Sequence, residues 1–146
     1  MDIHLVRNVA NLIFLSILSF QDIKEKKISS MIVFGYLILG ISYSLSNYSG
    51  RETLISLMFG LFLLAFCIFT KEGIGLGDVL VILSIGAWNG FFDSIYIFFT
   101  ALIIFDFFVL IMIVSSKIRK KKNILSKEVP FIPFVLIGMV VILVGR

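Results

Sequence analysis

The stretch VLVILSIGAWNGFFDSIYIFFTALIIFDFFVLIMIVSS, residues 79–116, decides the fold of this chain. As one helix it would be about 57 Å long at 1.5 Å per residue, nearly twice the ~30 Å hydrocarbon thickness of a bilayer. A cluster of polar residues and glycine interrupts it from Asn89-Gly90 to Asp93-Ser94. Residues of this kind favour a turn, so the stretch is predicted to cross a membrane twice, as spans 79–91 and 95–116.

The composition extends this interpretation to the whole chain of 146 residues. Hydrophobic residues make up 60% and charged residues 15%, with a mean hydropathy of +1.11, against roughly 45–50% and about 25% in soluble domains. A soluble fold and a disordered chain are therefore excluded, and the single cysteine, Cys67, excludes a disulfide scaffold. We predict an all-α membrane protein with six transmembrane helices, forming one domain over 1–146. The other four spans are predicted at 3–20, 30–45, 53–70 and 129–144, the last opened by Pro130.

The basic residues predict how the spans are oriented. Ten of the thirteen Lys and Arg residues fall in the loops after the first, third and fifth spans. These ten are Lys24, Lys26, Lys27, Lys71, Lys117, Arg119, Lys120, Lys121, Lys122 and Lys127. Because basic loops stay in the cytoplasm, we expect a multi-pass protein of the cell (plasma) membrane with both termini extracytoplasmic. The net charge of +4 then reflects orientation in the lipid bilayer, and no nucleic-acid partner is expected.

Three acids lie at or within span boundaries: Asp22, Asp78 and Asp106. Asp22 follows the first span and Asp78 precedes the fourth, so both are predicted at the cytoplasmic face. Two carboxyls held close together share a proton, because both cannot ionise easily. Such a pair can activate a water and polarise an amide carbonyl, which is aspartic-protease chemistry. This chemistry needs no metal and no cofactor, and we expect neither.

Each acid also has a structural interpretation. An Asp at a helix start is commonly an N-cap, which could be the whole role of Asp78. Asp22 could be a solvated residue at the end of a span. Asp106, in the middle of the fifth span, is costly there and so suggests a function. It could serve the site or a proton path, or be a protonated hydrogen-bond partner between helices.

The segment GIGLGD, residues 73–78, places three alternating glycines before Asp78. Gly73, Gly75 and Gly77 allow tight bends and a close approach of another chain. Irregular backbone at membrane depth usually lines a polar cavity or is buried in protein. The spacing is neither G-x-G-x-x-G nor a P-loop, so nucleotide binding is not indicated. A flexible loop between helices is the alternative.

Several segments in order resemble the type IV prepilin peptidase family, whose members are GxGD membrane aspartic proteases. DIKEKKI (22–28) is similar to the first aspartate motif of that family, and GIGLGDV (73–79) to the second. The likeness continues through GAWNG (86–90), VPFIPF (129–134) and Gly138. Together these segments cover most of the chain.

The resemblance implies a membrane-embedded endopeptidase that cuts the basic leader of prepilin-like precursors at the cytoplasmic face. By motif, Asp22 and Asp78 would be the catalytic pair, and Gly73, Gly75 and Gly77 would shape the loop that admits substrate. Asp106 matches no motif and is kept as a possible auxiliary residue. The chain resembles the short, peptidase-only form, because two CxxC pairs associated with methyl transfer are missing. Leu80 stands where these proteins commonly have Lys.

Two rival functions remain open from the sequence. A small proton- or cation-coupled carrier could use the same three aspartates as an ion path. A non-enzymatic assembly subunit could use its glycines for helix packing alone. The carrier is the runner-up, and the peptidase is favoured over it because the chain shows no internal repeat and two of its acids are predicted at one face.

Overall fold

The computed structural model describes residues 3–47, 50–70, 75–118 and 129–145. Over these residues the chain forms six α-helices and no strand, which confirms the predicted all-α class. The helices are α1 (Ile3–Glu25), α2 (Ser30–Asn47), α3 (Gly50–Thr70), α4 (Leu76–Asn89), α5 (Phe91–Ile118) and α6 (Ile132–Val144).

The predicted fold-back occurs within a single residue. The helix α4 ends at Asn89 and α5 begins at Phe91, so Gly90 alone makes the turn. Its φ of 86° is a conformation that side chains with a Cβ rarely adopt. The Gly90 N–H donates to the Gly86 carbonyl at 2.9 Å, and the Ser94 N–H donates to the Gly90 carbonyl at 3.2 Å. The sequence therefore placed the turn correctly but made it too long.

The helix lengths fit a multi-pass membrane protein. Among the described residues, three helices are long and apolar enough to cross a bilayer, namely α2, α3 and the Phe91–Ser116 part of α5. The apolar helices α4 and α6 have 14 and 13 residues. Each is therefore about 20 Å long, shorter than the ~30 Å hydrocarbon core.

The short helix α4 lies at the centre of the bundle and packs against α2 and α3. Gly60 of α3 permits the close approach, because a Cβ there would lie 2.8 Å from the Leu83 Cα. Gly86 does the same on the α4 side, where a Cβ would lie 3.3 Å from the Ser56 carbonyl oxygen. Small residues at helix interfaces are typical of membrane bundles.

The last helix, α6, lies between α5 and α1. A Cβ at Gly138 would lie 2.8 Å from the Ile97 carbonyl oxygen, so this glycine sets the spacing of α5 and α6. The Phe105 ring packs edge-on against Phe131, with ring centroids 5.5 Å apart. The predicted opening of this helix at Pro130 was wrong: α6 begins at Ile132, and Pro133 lies in its first turn, where a missing N–H is tolerated.

The first helix is longer than its predicted span of 3–20. It continues to Glu25, and Lys26, with a φ of 50°, adopts the left-handed conformation that commonly ends a helix. The Lys26 N–H donates to the Asp22 carbonyl at 3.1 Å. Asp22 is thus held inside the last turn of α1, not in the loop after it.

Candidate active site

Asp22 is a buried carboxyl at the meeting point of two helices. Its side chain is 7% exposed. Its Oδ2 accepts a hydrogen bond from the backbone N–H of Ile132 at 3.0 Å. Ile132 is the first residue of α6, where backbone N–H groups have no partner within the helix. The Asp22 carboxyl therefore accepts from one of the N–H groups that α6 leaves without a partner at its N-terminus.

Asp78 lies in the first turn of α4, ahead of the apolar run that begins at Val79. The N-cap of the helix is Gly75, and no side chain caps it. The alternative interpretation of Asp78 as an N-cap is therefore not what the structure shows. Burial, and secondarily the nearby charge of Asp22, raise the pKa of Asp78 from 3.8 to about 7. Asp78 is thus suited to hold a proton near neutral pH.

The two aspartates line one cavity of about 490 Å³. The connection between α1 and α2 forms one wall, the start of α4 another, and the residues leading into α6 a third. The lining residues are Asp22, Lys26, Lys27, Ile28, Ser30, Gly75, Gly77, Asp78, Val129, Pro130 and Phe131. The cavity therefore joins three of the segments that resemble the peptidase family, namely 22–28, 73–79 and 129–134.

Two of the three glycines contact this site in different ways. A Cβ at Gly75 would lie 3.1 Å from Asp78 Oδ2, so a larger residue would push on the carboxyl itself. A Cβ at Gly77 would lie 3.2 Å from Ile28 Cδ1, the mobile end of a side chain. Gly73 lies outside the described residues.

Asp106 lies elsewhere. Its side chain is exposed on α5, on the same outward stripe as Ile103 and Leu110. It is outside the cavity that holds the other two aspartates. The structure thus separates Asp106 from the Asp22–Asp78 pair. Cys67 is buried in the core of the bundle.

A second cavity, of about 480 Å³, lies at the opposite end of α4. It is lined by Ser44, Glu52, Ile55, Asn89, Gly90, Phe91, Phe92 and Asp93. Its walls are mainly apolar, and its two acids come from α3 and α5. The first cavity is the better candidate for an active site, because two carboxyls converge in it.

The hydrogen bond between Ile132 and Asp22 was missed by the sequence analysis. A backbone N–H has no side-chain signature, so its partner is invisible in the sequence. The segment VPFIPF (129–134) gave the available signal, since it resembles a family motif without an evident chemical role. In the structure this segment lines the cavity and supplies the N–H to Asp22.

The described parts of the chain contain no group of three His, Cys, Asp or Glu side chains that could hold a metal ion. The cavity instead offers two carboxyls in unequal surroundings. Asp22 is hydrogen-bonded to a helix N-terminus, and Asp78 has a raised pKa. One ionised and one protonated carboxyl can act as base and acid on the same substrate.

Fold and site together define a multi-pass helical membrane protein with a paired-carboxyl cavity, a combination suited to hydrolysis. The sequence model of the type IV leader peptidase family matches residues 9–145. The chain therefore belongs to the type IV leader peptidase family and is a protease of the membrane. No curated protein and no solved structure matches it.

Proposed function

We propose that this protein is an aspartic endopeptidase that removes the basic leader from type IV prepilin-like precursors. The observation that carries the proposal is that Asp22 and Asp78, from distant parts of the chain, line one cavity. The substrate class follows from the family and from the motifs at 22–28 and 73–79. Membership in a peptidase family disfavours both the carrier and the assembly subunit.

In the proposed mechanism Asp22 is the base. Its carboxylate takes a proton from a water molecule while the water oxygen attacks the carbonyl carbon of the scissile peptide bond. The Ile132 N–H leaves Oδ1 as the less committed oxygen of Asp22, because Oδ2 already accepts a hydrogen bond. That arrangement fixes the carboxylate before the substrate arrives.

Asp78 is the acid. It gives its proton to the carbonyl oxygen as the tetrahedral diol forms, which avoids a free oxyanion. When the diol collapses, the carbon–nitrogen bond breaks and the leaving nitrogen takes the proton held by Asp22. Asp78 recovers its proton from the hydroxyl that becomes the new carbonyl, so the pair returns to its starting state.

The proposed orientation places this cavity at the cytoplasmic face. It is supported by the ten basic residues that share one side of the predicted topology. A reporter fused after Leu125 should be cytoplasmic, and one fused after Arg146 extracytoplasmic. An extracytoplasmic reporter at Leu125 would mean that the cavity lies at the outer face, where it could not reach leaders made in the cytoplasm.

The test of the activity uses the full chain purified into liposomes and a precursor with a basic leader ahead of a hydrophobic segment. The wild-type protein should cut between leader and segment. Asp78→Asn should insert normally and release no leader, because an amide keeps the shape and loses the acid. Asp93→Asn, which alters an acid of the second cavity, is the matched control and should remain active. Wild-type protein that leaves the precursor intact under these conditions would refute the proposed function.

A further inference from the structure

We propose that Asn11 and Asn89 are positioning residues that set the separation of Asp22 and Asp78. This inference rests on the proposed function. Asn11 lies on α1 and Asn89 ends α4, far from the cavity that holds the aspartates. Asn11 Nδ2 donates to Asn89 Oδ1 at 3.3 Å, and both side chains are buried.

The amide pair Asn11–Asn89 and the carboxyl pair Asp22–Asp78 have the same spacing along α1 and α4. Asn11 precedes Asp22 by eleven residues on α1, and Asn89 follows Asp78 by eleven residues on α4. Eleven residues are about three turns, so on each helix the amide and the carboxyl lie on the same face, about 16 Å apart. The helices run antiparallel, because Asn11 meets Asn89 at one end and Asp22 shares a cavity with Asp78 at the other.

The amide pair is held from both sides by further hydrogen bonds. Tyr36 Oη donates to Asn11 Oδ1 at 2.8 Å, and Asn89 Nδ2 donates to the Ile85 carbonyl at 3.2 Å. Trp88 Nε1 donates to the Tyr36 carbonyl at 3.1 Å, which ties α2 to α4. The Tyr36 ring stacks on Phe14 with centroids 3.7 Å apart. The orientation of Asn11 is therefore fixed by two partners on two other helices.

The apolar contacts between the two pairs lack this directional character. Leu15 and Leu18 of α1 are buried in the same core cluster as Ile82 and Ile85 of α4. Hydrophobic burial is non-directional, so these aliphatic contacts do not by themselves select one register of α1 along α4. A hydrogen bond weakens steeply with distance and angle. The amide pair therefore adds a directional restraint against a slide of α1 along α4, beside the Ile132–Asp22 hydrogen bond that ties α1 to α6.

Such a slide would reach the aspartates directly. A rigid helix transmits a shift along its axis undiminished, so a displacement at Asn11 reappears at Asp22. Acid–base chemistry on one water and one carbonyl requires both carboxyls within hydrogen-bond distance of the reacting atoms. Misplacement by about 1 Å can lower a rate by about 100-fold. The amide pair would thus govern the rate without contacting the substrate.

The test measures precursor cleavage by Asn11→Leu and Asn89→Leu in liposomes. Each change removes the hydrogen bond and keeps similar bulk. We expect kcat to fall at least about tenfold with KM within about twofold of wild type. The alkaline limb of the pH profile should also move to lower pH, because a more distant Asp22 perturbs Asp78 less. The charged groups that line the cavity with Asp78 are Asp22, Lys26 and Lys27.

Ser44→Ala is the matched control. It removes a buried hydrogen bond of 2.8 Å to Thr53, which joins α2 to α3 and leaves α1 and α4 alone. Its kcat and pH profile should stay at wild-type values. A variant that is merely less stable would lose active protein without a shift of the alkaline limb, so the shift separates positioning from folding.

Tyr36→Phe keeps the test decisive if the Asn variants fail to insert. It removes one hydroxyl from the network and retains the stacked ring, and it should lower kcat and move the limb in the same direction. The inference is overturned if inserted Asn11→Leu behaves like Ser44→Ala, or, in the absence of inserted Asn variants, if Tyr36→Phe does so. Loss of cleavage by the wild-type protein would instead refute the proposed function.

Discussion

At one end of the α1–α4 pair Asn11 meets Asn89, and three turns away Asp22 and Asp78 share a cavity. The amides are buried, and they form hydrogen bonds with each other, with Tyr36 and with the Ile85 carbonyl. The aspartates instead line about 490 Å³ of space. Neutral groups that satisfy one another stabilise a bundle, whereas titratable groups that face a cavity are available for chemistry.

The largest expected effect comes from changing the two aspartates, which form the carboxylate end of the α1–α4 pair. Asp22→Asn and Asp78→Asn should each lower precursor cleavage by at least about 1,000-fold, because each removes the acid or the base. The double variant should be no slower than either single variant, since residues that act as a unit are non-additive. Single-turnover cleavage in liposomes measures all three. Additive losses would show that the two carboxyls act in separate steps.

A smaller loss is expected from Gly75→Ala. Its new Cβ would lie 3.1 Å from Asp78 Oδ2 and displace that carboxyl, which should lower kcat by about tenfold. Gly77→Ala should cost less, because its Cβ meets the mobile end of Ile28. Gly35→Ala, with nothing within 4 Å, is the control and should keep full activity. Equal losses at positions 75 and 77 would contradict the specific contact with Asp78.

The buried Asp78 should also lower the stability of the folded protein at high pH. Asp78 binds its proton more tightly in the folded protein, with a pKa raised from 3.8 to about 7, than in the unfolded chain. The folded state is therefore increasingly disfavoured as the pH rises from about 4 to about 7. Asp78→Asn should remove this penalty and stabilise the protein by about 1–3 kcal/mol at pH 8.

Thermal unfolding in detergent at pH 5 and pH 8 measures this effect. The gain for Asp78→Asn should be larger at pH 8 than at pH 5, where the wild-type carboxyl is mainly protonated. Asn89→Leu, at the amide end, should show no gain that grows with pH. A stabilisation of Asp78→Asn that is independent of pH would point to packing and not to a buried charge.

The smallest expected effect is that of a chelator. The mechanism uses two carboxyls and a water, so EDTA should leave the rate of precursor cleavage unchanged within about 20%. Parallel assays with added zinc or magnesium should give the same rate. Activity that EDTA abolishes and zinc restores would overturn the acid–base roles given to Asp22 and Asp78.

The sequence predicted the large features because these depend on burial averaged over many residues. The run 79–116 was too long for one span, and the structure turns it at Gly90. Helix ends were less accurate: α1 continues to Glu25 and α6 begins at Ile132, because these ends depend on local backbone conformation and not on hydropathy.

The candidate site was predictable in part for similar reasons. Only three acids lie at or within span boundaries, so Asp22 and Asp78 stood out, and the predicted topology put them at one face. The Ile132 N–H could not be found, because it belongs to the backbone. Asn11 and Asn89 were also overlooked, since a pairing over 78 positions leaves no local pattern. Asp106 stood out as strongly as the other acids, yet its helix turns it away from them.

The hydrogen bond from Ile132 to Asp22 has a consequence for synthesis. Its two partners lie 110 residues apart, so at about 5–20 residues per second the ribosome needs about 5 to 20 s to make the second after the first. During that time Asp22 lacks the helix whose N–H later donates to it. The carboxyl therefore gains this hydrogen bond only after α6 has been made, and until then the cavity that it shares with Asp78 is incomplete.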